Sequence, residues 1–154
     1  MYSRKQIEDA VLCKGYKWFE NGDYNLNIVG VRNSNTNQEI TNKFDDKVTV
    51  SYSVNGELKY EEWDATTDPG IYYSENLLNP DGVYSLQEGM FGINIHRAGT
   101  FVNGSTQIDK WSAGCQVLSK ESDFNILMEL AEKARALYGN SFTYTLIESS
   151  DIVG

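Results

Sequence analysis

The chain is poor in the residues that build metal sites and covalent staples. Its 154 residues include two cysteines and one histidine. A zinc site of the usual Cys/His type cannot be closed with that set unless carboxylates complete it, so no metal and no cofactor are expected. Long apolar runs are missing too. None approaches the roughly 18 to 20 residues of a membrane span, so a membrane is not an expected partner. The start, Met1-Tyr2-Ser3-Arg4-Lys5-Gln6-Ile7-Glu8-Asp9, lacks an apolar h-region. A secretory signal is therefore not expected, and the reading is a protein cytoplasmic as synthesised, with Cys13 and Cys115 reduced. Basic residues are scarce, 13 against 22 acidic, for a net charge of −9. An acidic surface repels a phosphate backbone, so no nucleic-acid polymer is expected as partner, although a local basic pocket for a small anion stays open. The only prolines, Pro69 and Pro80, fall within one stretch.

What remains is a globular composition: 40% hydrophobic and 12% aromatic. That is enough for one domain with a real core, residues 1–154, and too little for two. Helical spacing of Ile7, Ala10, Val11, Cys13, Lys14 and Trp18 predicts a helix over about 3–21, capped by Ser3 and stopped by Gly22. Residues 24–32 read as a strand, and the Asn/Ser/Thr cluster at 33–42 as a loop. Val48, Val50, Tyr52 and Val54 alternate with polar residues, and Leu58, Tyr60 and Glu62 alternate again. Asn55-Gly56 between these runs predicts a type I′ hairpin. The 66–89 stretch, with Asp68-Pro69-Gly70 and Asn79-Pro80-Asp81-Gly82, reads as a long structured loop. Short strands are expected at 90–96 and 115–118. Ser122 is read as the cap of a strong helix over about 123–138 that ends at Gly139, before a last strand at 142–147. The expected fold is α+β: a mostly antiparallel sheet or small barrel with two packed helices.

His96 and Cys115 form the main chemical constellation. A thiolate is the nucleophile, and a free thiol near pKa ~8.5 is mostly protonated at neutral pH. A neighbouring imidazole can take that proton and leave an ion pair ready to attack a carbonyl. Ser112-Ala113-Gly114 adds a small-residue turn into Cys115, where backbone N–H groups could approach a tetrahedral oxyanion. The bland alternative is a small buried thiol and a hydrogen-bonded structural histidine.

The segments His96-Arg97-Ala98-Gly99 and Ser112-Ala113-Gly114-Cys115 resemble the signature of the YkuD-type L,D-transpeptidase catalytic domain. In that resemblance His96 matches the family's base, Ser112 its Ser or Thr, Gly114 its Gly, and Cys115 its nucleophile. Ala113 stands where the family has a second histidine, Gln116 in its apolar slot, and Val117 where Asn or Arg is usual. Most of the chain is also similar to a group of phage and prophage proteins. That similarity runs through Asn27–Asn33, Trp63–Gly70, Gly92–Ala98 and Trp111–Val117. Those proteins carry a longer segment between the Asp-Pro-Gly turn and the His96 strand. The resemblance implies a barrel-like α+β fold and a peptidoglycan stem peptide as substrate. It also implies a cysteine hydrolase or transpeptidase that forms a thioester on Cys115. A phage origin favours hydrolysis in lysis, with release to the cell wall at that stage.

Other residues carry a functional and a structural reading together. Arg97 and Arg32 could hold a substrate carboxylate as a fork or simply be solvated. Within a strand, Arg97 would point to the face opposite His96. Trp111 walls a cleft or fills the core, and Trp63, Tyr72 and Tyr73 line a groove or pack. Cys13, inside the helical stripe, is expected to be buried and inert. Asp64, Asp68 and Asp81 are too scattered for a metal site, and Asp45-Asp46 reads as a solvated turn. Two functions remain in view: the cysteine enzyme, and a non-catalytic binding module on the same scaffold. The module could be a wall-binding or virion component, or could capture a small host metabolite or signal. The shortened middle favours the module, and the His96–Cys115 pair favours the enzyme.

Overall fold

The computed structural model describes residues 1–33, 45–66, 95–97 and 116–153, with residues 96, 97 and 116 described by their backbone. Among the described residues, six strands form one mixed sheet: β1 (Asn27–Arg32), β2 (Asp46–Val54), β3 (Glu57–Thr66), β4 (Ile95–Arg97), β5 (Gln116–Leu118) and β6 (Tyr144–Glu148). Their order across the sheet is β4-β5-β3-β2-β1-β6. The class is α+β, as expected. The pairings β1/β2, β2/β3 and β3/β5 are antiparallel, whereas β1/β6 and β4/β5 are parallel. Among the described residues the sheet is open, with β4 and β6 at its two edges.

The β2/β3 hairpin is built as its turn residues demand. Asn55 and Gly56 both adopt left-handed backbone, φ 52° and 79°. These are the two positive φ values of a type I′ turn, whose twist matches that of the strands. Pairing then runs the length of the hairpin, from Val54↔Glu57 to Asp46↔Ala65.

A helix covers each face. Helix α1 (Arg4–Cys13) lays Ile7, Ala10 and Val11 on Val29, Val31 and Ile147. Helix α2 (Glu121–Tyr138) lays Leu127, Leu130 and Ala134 on Ile28, Val48, Val50, Trp63, Ala65 and Leu118. The alternation of strand side chains produces this division, since Ile28 and Val29 are chain neighbours assigned to opposite cores. Gly30 is required by close approach. A Cβ there would sit 1.8 Å from the Tyr144 hydroxyl, because the Tyr144 side chain reaches over the gap that glycine leaves.

Three expectations are corrected. The first helix ends at Cys13 rather than near 21. Gly15 takes φ 77°, its N–H reaches the Leu12 carbonyl at 2.9 Å, and the Tyr16 N–H reaches that of Val11 at 3.2 Å. That is a Schellman stop, which a glycine makes cheap and which the apolar spacing beyond it conceals. The segment that follows is held by Asn27. Its side chain accepts from the Phe19 N–H at 2.7 Å and donates to the Phe19 and Ser51 carbonyls at 2.9 and 3.3 Å. The second helix starts at Glu121, with extended Lys120 as its N-cap, so Ser122 lies inside the first turn and is not the cap. The first helix does begin at Ser3, in a reciprocal capping box with Gln6. Finally, Asp46 is not in a solvated turn. It opens β2, is 1% exposed, and accepts the Asn33 N–H at 2.6 Å.

Candidate functional site

Strand β5 is only three residues long, yet it is locked in place. Val117 and Leu118 are fully buried. Their antiparallel partners on β3, Thr66 and Ala65, are fully buried as well. Just beyond, the Ser119 N–H donates to the Asp64 carbonyl at 3.0 Å. The chain then enters α2, whose apolar face packs on Leu118. Thus β5 is gripped by the sheet on one side and by its own helix on the other.

Strand β4 lies along the free side of β5. The pairing is parallel, Ile95↔Gln116, His96↔Val117 and Arg97↔Leu118, with Ile95 packed against the α2 core. A parallel pair needs a crossover of a dozen or more residues, and the 98–115 connection supplies that length. His96 therefore belongs to the strand beside the one that Cys115 leads into, Cys115 being bonded to Gln116, the first residue of β5. Cys115, Gly114, Ser112 and Trp111 lie outside the described residues, as do Tyr72, Tyr73, Asp68 and Asp81.

The structure sets Arg32 apart from His96 and gives Trp63, Asp64 and Cys13 surroundings of their own. Arg32 ends β1, four strands from β4, a displacement of about 19 Å at ~4.8 Å per strand. It faces Glu148 across the parallel β1/β6 pair and acts electrostatically on Tyr144. Trp63 is 5% exposed and belongs to the core beneath α2. Asp64 forms an ion pair with Lys47. Cys13 is not buried: it is the last residue of α1 and is exposed. The helix stops before another turn could cover it.

The electrostatics near β5 are acidic. Asp123, in the first turn of α2, has its carboxyl pKa raised by burial and by the nearby charges of Asp64 and Glu61, against a lowering pull from Lys120. Elsewhere in the sheet the phenols of Tyr60 and Tyr144 are the most strongly shifted. Burial, then the hydrogen bond to Glu62 at 2.8 Å, raises the Tyr60 phenol, and burial raises that of Tyr144 despite Arg32. Both phenols stay protonated in the folded state at a pH where the unfolded chain ionises them. Their contribution is therefore complete below pH ~10 and declines as pH rises past it, by at most about 1.4 kcal/mol per pH unit for each. Urea unfolding between pH 8 and 11 should show this loss, with a shallower slope in Tyr144→Phe. An unchanged slope would remove Tyr144 from the account.

Among the described residues, no three His, Cys, Asp or Glu side chains gather as a metal site, and no helix is long and apolar enough to cross a membrane. One feature of the α1 face had no reading in the sequence: a cavity of about 190 Å³ lined by Arg4, Asn27 and Ser51. Its signal was present, in polar Asn27 and Ser51 occupying strand positions beside apolar runs. No family model, curated protein or solved structure matches this chain.

Proposed function

We propose that the chain is a cysteine-dependent hydrolase or acyltransferase acting on peptidoglycan stem peptides, with a scaffold of the L,D-transpeptidase type. The observation that carries this reading is the parallel pairing of β4 with β5. It sets the strand of the only histidine beside the strand that Cys115 enters, on a base gripped by Ala65, Thr66 and Leu118. A rigid base is what a nucleophile and its partner need.

In the proposed mechanism His96 takes the proton of Cys115, and the thiolate attacks the amide carbonyl next to a D-centre. Backbone N–H groups around Ser112, Gly114 and Cys115 receive the oxyanion. Collapse of the tetrahedral species breaks the C–N bond, and the leaving amine takes the proton from His96. Water then attacks the thioester, with His96 again as base, and frees the acid and the thiol. An amine in place of water gives a crosslink. Hydrolysis suits a phage lysis role, in which the protein is made in the cytoplasm and released to the wall. Arg97, next to the base, is the candidate for holding a substrate carboxylate.

The test is the pH profile of thiol alkylation by iodoacetamide. Because Cys13 is exposed, it is run in a Cys13→Ser background, so that Cys115 alone is read. A thiolate paired with imidazolium should react about two pH units below an ordinary thiol, and His96→Ala should return the profile to ~8.5. Superimposed profiles would make His96 structural and leave the non-catalytic binding module as the reading.

A further inference from the structure

A pocket of about 260 Å³ opens where the last turn of α2 meets the segments that lead into β1 and β6. Leu26 and Ala134, 6% and 4% exposed, form its floor and belong to the α2 core. Tyr138 and Phe142 form aromatic walls, and both keep open surface, at 49% and 42% exposed. Asn25 and the exposed Ser141 and Thr143 supply polar groups to the lining. The walls are held in place by the protein itself. The Tyr138 hydroxyl donates to the Asp23 carbonyl at 2.7 Å, and Asn25 Nδ2 donates to the Asn21 carbonyl at 3.1 Å. Gly22 leaves room for Tyr138, since a Cβ there would collide with the Tyr138 hydroxyl oxygen. Among the described residues, none that lines the pocket is charged. An ion would lose hydration there with no opposite charge in return, so the lining selects a neutral ligand.

We propose that this pocket holds one ring of a neutral sugar. A pyranose presents C–H bonds on its face and hydroxyls around its edge. The C–H face lies against the electron-rich face of an aromatic ring, here Phe142. The hydroxyls exchange hydrogen bonds with Asn25, Ser141 and Thr143, each of which carries both a donor and an acceptor. An apolar planar ligand is disfavoured, because it would strip water from those three side chains and replace none of their hydrogen bonds. The volume equals that of about nine waters in the liquid, room for one sugar ring and not for a second. The pocket lies at the β6 edge of the sheet, five strands from β4, about 24 Å at ~4.8 Å per strand. It is therefore separate from the cysteine chemistry and rests on no part of that reading.

The experiment is a titration of the ¹⁵N-labelled full chain, followed by the Gly139, Ser141 and Thr143 amide signals. The probes are methyl β-D-glucopyranoside, N-acetylglucosamine, glucuronate and phenol. At least one of the two neutral sugars should shift all three signals saturably. Glucuronate and phenol should each bind at least about tenfold more weakly than that sugar. Phe142→Leu, which keeps the bulk but not the ring, should weaken the sugar about tenfold, and Phe142→Tyr should bind as the wild type. If Phe142→Leu fails to fold, Ser141→Ala decides in its place, with an expected loss of about two- to tenfold. No saturable shift with either neutral sugar, equal binding of glucuronate, tighter binding of phenol, or a Phe142→Leu variant that binds as the wild type would each overturn the proposal. The readout is binding alone, so its failure leaves the cysteine mechanism standing, and the reverse holds as well.

Discussion

Cys115→Ala is expected to eliminate turnover of purified peptidoglycan fragments, by at least about 10⁴-fold, without changing thermal unfolding. A nucleophile cannot be replaced by its neighbours, so its removal takes away the whole covalent route rather than a part of the rate. His96→Ala should cost less, about 10²- to 10⁴-fold, because solvent can still accept the thiol proton at higher pH. Its loss should therefore shrink as pH rises toward the pKa of a free thiol, whereas the Cys115→Ala loss should not depend on pH. Mass spectrometry of the quenched wild type should show an acyl adduct on Cys115, and none on Cys13. Retained turnover in Cys115→Ala, measured by release of free stem-peptide amines, would end the cysteine mechanism.

Trp63→Ala is the second large expectation, this time in stability. Trp63 is 5% exposed, pairs with fully buried Val48, and shares a core with Leu118, Leu127, Leu130 and Ala134. Its truncation removes the largest side chain of that core and should cost about 3–5 kcal/mol. That is a large share of the ~5–15 kcal/mol that holds a domain folded. Urea unfolding with linear extrapolation measures it, and Trp63→Phe should recover more than half of the loss. A cost under about 1 kcal/mol would mean that Trp63 does not anchor α2. The effect should reach the candidate site as well, because Leu118 of β5 depends on the same core for its position. Under conditions where Trp63→Phe remains folded, alkylation of Cys115 is expected to change rate before any unfolding is seen.

Local patterns were legible wherever the chain's own chemistry decides. Asn55-Gly56 forms the turn because both residues tolerate left-handed backbone, and the alternation around it pairs without a slip. Ser3 caps α1 through Gln6, and Gly139, at φ 92°, ends α2. Where two local rules compete, the reading strayed. Apolar spacing ran on past Gly15, but the glycine's stop won, so Cys13 emerged at an exposed helix end. Charge suggested solvent for Asp46, yet it opens a strand and is buried, with the Asn33 N–H among its partners.

The sequence by itself determined the acidic globular class, the hairpin, the two helices and the identity of the one His and two Cys residues. Those follow from composition and from periods of 2 and 3.6, which are properties of a few adjacent residues. Only the tertiary structure decided that β6 pairs in parallel with β1 and β4 with β5, that α1 and α2 cover opposite faces, and that Arg32 stands four strands from His96. It also decided that Ser51 and Arg4 share a cavity. Such juxtapositions join residues far apart in the chain. They are set by which buried faces fit together, a choice that the packing of the whole sheet makes and no local pattern encodes.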